Sequence, residues 1–340
     1  MSEPTAILEL AEGFWGWWAE ARPRVEAELA EGRIDRMADE LTARARALDE
    51  RMQWEITRSD DAVWALCLSG AGDPRVRILA ERVVRAGPGD DAMWSYHAVR
   101  LPHPGTIDGQ LLELAGHEVK LGDARFSIHI DDERQVLDIT AYHPAFATLD
   151  RAEQGTVAFL IIEGILGEDG VERWIGMVEL TAEDPADGLP PEALAEAADG
   201  LADRHTEPSW CLMSGSGDGG QPLFVMARRP LKRVEAPLFD LHAVVMLIGY
   251  EVDDAGLPTK EALEQLTSLE DGLAAALDGD AVVVAHVTVS GRRTTHLYCD
   301  QFGPAPGLIS TWTATLAGDG VEAVVSFDLD PAWDEVRAFV

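Results

Sequence analysis

Between Thr259 and Asp278 the apolar positions recur with a period near 3.6: Leu263, Leu266, Leu269, Leu273 and Leu277 fall on one stripe, with Ala262 at its edge. The pattern predicts a helix over 259–278, capped by Thr259 after Leu257-Pro258 and ended by Gly279. From residue 281 the period drops to two. Val283, Ala285, Val287 and Val289 alternate with Val284, His286 and Thr288, and Thr295, Leu297 and Cys299 alternate with Thr294, His296, Tyr298 and Asp300. That is a ribbon of strands 281–289 and 294–300. The two apolar faces coincide if Ser290 pairs with Thr294 around Gly291-Arg292-Arg293, which sets His286 opposite Tyr298 and Thr288 opposite His296. The polar face then gathers His286, His296, Tyr298 and Asp300, with Arg292 and Arg293 at the turn.

Upstream, the pattern opens on a helical hairpin. Phe14, Trp15, Trp17, Trp18, Val25 and Leu29 mark one helix closed by Gly32, with Pro23 expected to start a fresh first turn. Ile34, Met37, Leu41, Ala45, Leu48 and Met52 mark the second. Aromatic residues at helical spacing read as core before they read as a ligand platform. Strands 54–57 and 63–69, a helix from Pro74 to about Arg85 and a strand 93–100 form a β-β-α-β block. It repeats in outline as a hairpin 124–130 and 136–141, a buried helix 153–167 and a strand 171–180. Residues 181–209 hold Asp184-Pro185, Gly188-Leu189-Pro190-Pro191 and a short alanine-rich helix. The expected division is a first domain over 1–185, a linker with a short helix over 186–207 and a second domain over 208–340. The second domain adds strands near 223–229 and 241–250, and a tail of apolar segments 312–316 and 321–329 before a short helix from Pro331. The fold class is α+β, two domains of mainly antiparallel sheet with packed helices.

Composition narrows the function. With 27 basic against 61 acidic residues the formal charge is −34, which excludes a nucleic-acid partner and disfavours an anionic membrane. A basic protein remains a possible partner; the 24 arginines and three lysines are also what a GC-rich genome encodes. Apolar runs such as 157–162 and 243–248 fall far short of the ~20 residues that span a bilayer, and the N-terminus lacks a basic stretch before an apolar core. No export signal is expected. Cys67, Cys211 and Cys299 show no CxxC spacing and fit a reducing cytoplasm.

Catalytic motifs do not emerge. Gly215, Gly217 and Gly220 match GxGxxG, but Pro222 and a strand follow where pyrophosphate binding needs a helix N-terminus. No Ser occupies a GxSxG turn and no Walker lysine is present, so no cofactor is expected. His129 and Asp131 share a strand face and His286 and His296 are diagonal neighbours, yet neither pair has the third ligand that zinc requires. His103 and His143, beside prolines, read as loop residues. Glu270 is the sharper position: it lies about 40° from Leu266 on the helical wheel, inside the apolar stripe, while Asp271 points away. Such an acid reaches a solvated edge, pairs with Arg292 or Arg293, or lines a pocket; edge solvation is the expectation.

Trp210 opening a strand, GLPTKEALEQLTSLEDGL, VTVSGRRTTHLY and the terminal DPAWDE from Asp330 to Glu335, in that order, resemble a bacterial family of unknown function, the one numbered 695, over roughly residues 208–340. That family brings no established activity or catalytic residue. Domains of this kind are similar to the regulator of ribonuclease E activity type B, a small acidic ferredoxin-like inhibitor, which implies ferredoxin-like elements and action through protein binding. The expected function is therefore a cytoplasmic, non-catalytic regulator or inhibitor that binds protein. The alternative is a small-molecule-binding protein or enzyme in which Glu270 is a base or anchor and Arg292, His296 and Tyr298 hold an anionic group.

Overall fold

A computed structural model describes residues 3–114, 116–204, 208–217, 219–316 and 320–339. The fold is α+β, with helices at the N-terminus and mainly antiparallel sheets. The chain divides into two compact units, Met1–Thr206 and Glu207–Val340.

In the first unit, helices α1 (Glu3–Ala30) and α2 (Asp35–Leu48) form a hairpin that turns at Gly32, whose φ of 67° suits a residue without Cβ. Helix α1 runs through Pro23 instead of restarting there. The proline and Ala19, whose carbonyl loses its helical donor, both sit on the exposed side, where that carbonyl is open to solvent. The opposite side packs Phe14, Trp15, Trp17 and Trp18 onto α2 and a small sheet. The indole N–H groups are satisfied: Trp15 donates to the Val83 carbonyl at 2.7 Å and Trp18 to the Tyr96 hydroxyl at 3.0 Å. That sheet is β1 (Gln53–Arg58), β2 (Trp64–Ser69) and β3 (Trp94–His97), with α3 (Pro74–Arg85) crossing between the last two. Asp73 caps α3 by accepting from the amides of Arg75 and Val76.

After a short hairpin of β4 (Leu111–Leu114) and β5 (His117–Lys120), the arrangement recurs as β6 (Arg125–Asp131), β7 (Val136–Tyr142), α4 (Arg151–Trp174) and β8 (Ile175–Thr181). In both blocks the first two strands are antiparallel and the third lies parallel to the second, reached through the helix. Residues 171–174, read from sequence as the start of a strand, complete α4. The helix changes direction at Gly167 (φ 68°, ψ 169°), where a Cβ would meet the Arg100 carbonyl at 2.9 Å. Helix α5 (Ala193–Arg204), the alanine-rich helix of the linker stretch, contributes Leu194, Ala198 and Leu201 to the core beneath α4.

The second unit is one six-stranded antiparallel sheet. Its strands are β9 (Ser209–Ser216), β10 (Pro222–Arg229), β11 (Leu241–Ile248), β12 (Ala281–Val289), β13 (Arg292–Cys299) and β14 (Glu322–Leu329), in the spatial order β14-β11-β13-β12-β10-β9. Helix α6 (Lys260–Leu277) lies between β11 and β12, and α7 (Ala305–Thr315) between β13 and β14. Thr259 caps α6 by accepting from the Ala262 amide. Leu266, Leu273 and Leu277 of α6 join Ala243, Val245 and Leu297 in one core, whereas Leu263 at the end of the stripe is 45% exposed. The other sheet face carries a second core of Val225, Ala227, Val284, Tyr298 and Trp333. Residues 312–316, a separate apolar segment in the sequence reading, belong to the end of α7, whose Ala305 and Ile309 are buried. No helix among the described residues is long and apolar enough to cross a membrane.

Candidate functional site

The ribbon is tighter than its alternation suggests. Val289 pairs with Arg292 across a two-residue turn in which Ser290 and Gly291 both take positive φ, 50° and 70°. The pairing Ser290–Thr294 is thus corrected to Thr288–Arg293 and His286–Thr295, and a bulge at Val284 restores Val283 opposite Leu297. The reason is local. A type I′ turn matches the strand twist, and one inserted residue lets the strand exchange faces halfway along.

The polar cluster expected on one face is therefore divided. His286, Thr288, Arg293 and Thr295 meet α6, where Glu270 waits. Its side chain is only 9% exposed, which overturns the solvated-edge expectation. Arg293 donates from Nε to Oε1 at 2.8 Å and from Nη2 to Oε2 at 2.9 Å, a two-pronged pair, and from Nη1 to Thr288 Oγ1 at 2.9 Å. Thr295 donates to Oε1 at 3.1 Å, and His286 Nδ1 lies 2.9 Å from the same oxygen. Burial opposes the charge, but the bonds from His286 and Arg293 outweigh it and hold the carboxyl down at about 2. A carboxylate so fully coordinated is a weak base. Arg292, the other turn arginine, is exposed.

His296 and Tyr298 project to the opposite face. His242 Nε2 lies 3.0 Å from His296 Nδ1, and the His242 ring stacks on Tyr298 at 4.9 Å. Tyr298 stacks in turn on Trp333 at 4.3 Å and donates to Asp330 Oδ2 at 2.5 Å. Burial, reinforced by the charges of His242 and His286, lowers His296 to about 4. Burial and the Asp330 carboxylate raise the Tyr298 hydroxyl. Asp330 also accepts from the amides of Asp334 and Glu335, starting the terminal 3-10 turn. Trp333, at φ 56°, is held there by its stack and by donation to the Phe239 carbonyl at 2.7 Å.

Residues 210–339, which contain both networks, match the family model of a family of unknown function, DUF695. This part of the chain belongs to DUF695. No curated protein matches the chain. Within the DUF695 domain the terminal DPAWDE is a clasp: Asp330 and Trp333 fix Tyr298 of the central strand from behind.

Trp210 has a different setting. It reaches across β10 to lie 5.0 Å from the His286 ring and is 44% exposed. Its same-face neighbour on β9, Leu212, is 68% exposed. Beside them Phe224 and Met226 of β10 are only half-buried, so this end of the DUF695 sheet shows an apolar face next to a terminal strand. Leu212 escaped the sequence reading because it alternates like any strand residue. The available signal was the run Ser209–Ser216, SWCLMSGS, eight residues with no charge and no proline.

Proposed function

We propose that the chain is a cytoplasmic, non-catalytic regulator that captures an extended segment of another protein by strand addition to β9. The observation that carries this reading is the bare edge. Sheet edges are ordinarily blunted by charges, prolines or bulges, because unpaired N–H and C=O groups recruit a further strand. At the other end of this sheet β14 carries Glu322 and Asp328, whereas β9 carries no charge at all and exposes Leu212 and Trp210. An added strand would gain main-chain bonds from β9 and rest alternate apolar side chains beside Leu212 and Trp210. Basic residues flanking that segment would complement the charge of −34. The three free thiols suit a reducing compartment. The small-molecule alternative loses its surface: Glu270 is saturated, Arg292 is exposed, and His296 and Tyr298 lie on the far face.

A photoreactive residue at Leu212, expressed in the native host, tests this directly. The expected product is a discrete crosslink to one apolar, extended peptide of another protein, lost when Cys211→Pro breaks the edge. A probe at Val324 on β14 is the comparison. Equal yields at the two edges, or crosslinks only between copies of this chain, would overturn the reading.

A further inference from the structure

In the first unit a cavity of about 300 Å³ opens between the edge strand β1, the connection after β3 and helix α4. Its size lies at the small end of ligand sites, enough for a molecule of amino-acid dimensions. Gly164 of α4 shapes one wall: a Cβ there would meet Ile107 Cδ1 at 2.5 Å, so the glycine lets the 3-10 turn 104–109 pack against the helix. The His103 amide donates to the Gly164 carbonyl at 2.6 Å, and His103 Nε2 sits 3.0 Å from Thr57 Oγ1, which fixes the connection between helix and strand.

The charges around this cavity do not balance. Among the described residues Arg100 is the one cation lining it, against the carboxylates Glu55 and Glu163. Arg100 is already committed: Nη1 donates to Glu163 Oε1 at 2.9 Å, Nη2 donates to Gln53, and its amide donates to Glu168 Oε2 at 3.0 Å. Glu168, behind it, is half-buried and also accepts from Ser69 Oγ at 2.5 Å. Three acids thus surround one guanidinium. Glu55, half-buried on β1, takes no hydrogen bond and no ion pair among the described residues and influences Arg100 only through space. An unpaired carboxylate in a walled recess is an unmet demand for a cation.

We infer that this cavity binds a small organic cation, a primary amine or guanidinium compound, whose charged head pairs with Glu55 while its stem lies along Leu160 and the Gly164 wall. The site is in the first unit and stands independently of strand addition at β9.

The test uses the full chain titrated with agmatine and, separately, putrescine, read by calorimetry and by thermal unfolding. The expected result is saturable one-to-one binding that raises the unfolding temperature with ligand concentration. Glu55→Gln, which breaks no contact of the folded chain, is expected to weaken binding at least tenfold. Glu179→Gln on exposed β8 leaves binding unchanged, which separates a pocket from the general pull of an acidic protein. The inference is overturned if neither amine binds saturably, if E55Q binds as the wild type does, or if magnesium or succinate stabilises the chain as well as the amines do.

Discussion

Replacing Glu270 by glutamine keeps the shape of the side chain and removes its charge, leaving Arg293 buried without an anion. Breaking a buried pair by removing one partner costs about 3–5 kcal/mol. A second route gives a similar figure. The carboxyl is held at about 2 against an ordinary 4.5, and at about 1.4 kcal/mol per pH unit that is on the order of 3 kcal/mol of stabilisation. A folded-state value below the unfolded one means that the stabilisation is complete above pH 4.5 and is lost as pH falls towards 2. Native-state hydrogen exchange of peptides spanning β12 and β13 reads this locally, whatever the first unit does. At neutral pH, E270Q is expected to speed exchange there by about a hundredfold, since 1.4 kcal/mol is a factor of ten. The gap should close below pH 4, and adding Arg293→Met to E270Q should recover most of the loss. If E270Q exchanges within about 1 kcal/mol of wild type across that range, as an exposed ion pair would allow, the buried-network reasoning is wrong.

Tyr298→Phe removes the donor to Asp330 and is expected to lower DUF695-domain stability by about 1–3 kcal/mol, measured by the same exchange on β11 and β13 peptides. His296 is held near 4 when folded and reverts towards 6.5 on unfolding, so the domain's stability should decline as pH drops from 6.5 to 4. His296→Gln should flatten that decline in thermal unfolding curves. Gly167→Ala places a Cβ against the Arg100 carbonyl and forces an alanine into a glycine-only conformation; a loss of about 1–3 kcal/mol is expected in denaturant unfolding of the first unit, with the DUF695 domain unaffected.

Short-range chemistry was the legible part of the sequence. The Thr259 cap, the leucines of α6, the Asp73-Pro74 start of α3 and the doubled β-β-α-β order follow from spacing and turn residues alone. Pairings that depend on a partner were not legible. The apolar alternation of β12 reads as one face, but the fold splits it at Val284, because His286 and Thr288 gain more from Glu270 and Arg293 than from solvent. That Arg293 and not Arg292 meets Glu270 is fixed by the two-residue turn, which alternation leaves undetermined. Helix α7 begins Pro304-Ala305-Pro306-Gly307 and is rich in threonine, so its propensity is weak and its helicity comes from packing Ala305 and Ile309. His242, Asp330 and Trp333 come together from strand and tail positions far apart in the chain.

The bulge at Val284 keeps two rhythms out of step within one strand. Ala281 and Val283 beat in time with the apolar core under α6, and His286 and Thr288 beat in time with the charge network at the same helix, although the odd count from one pair to the other would put them on opposite sides of an unbulged strand. Flattening that bulge with Val284 still in the strand would leave it able to satisfy grease or charge, never both, and either choice would turn a histidine and a threonine, or two aliphatic side chains, inside out.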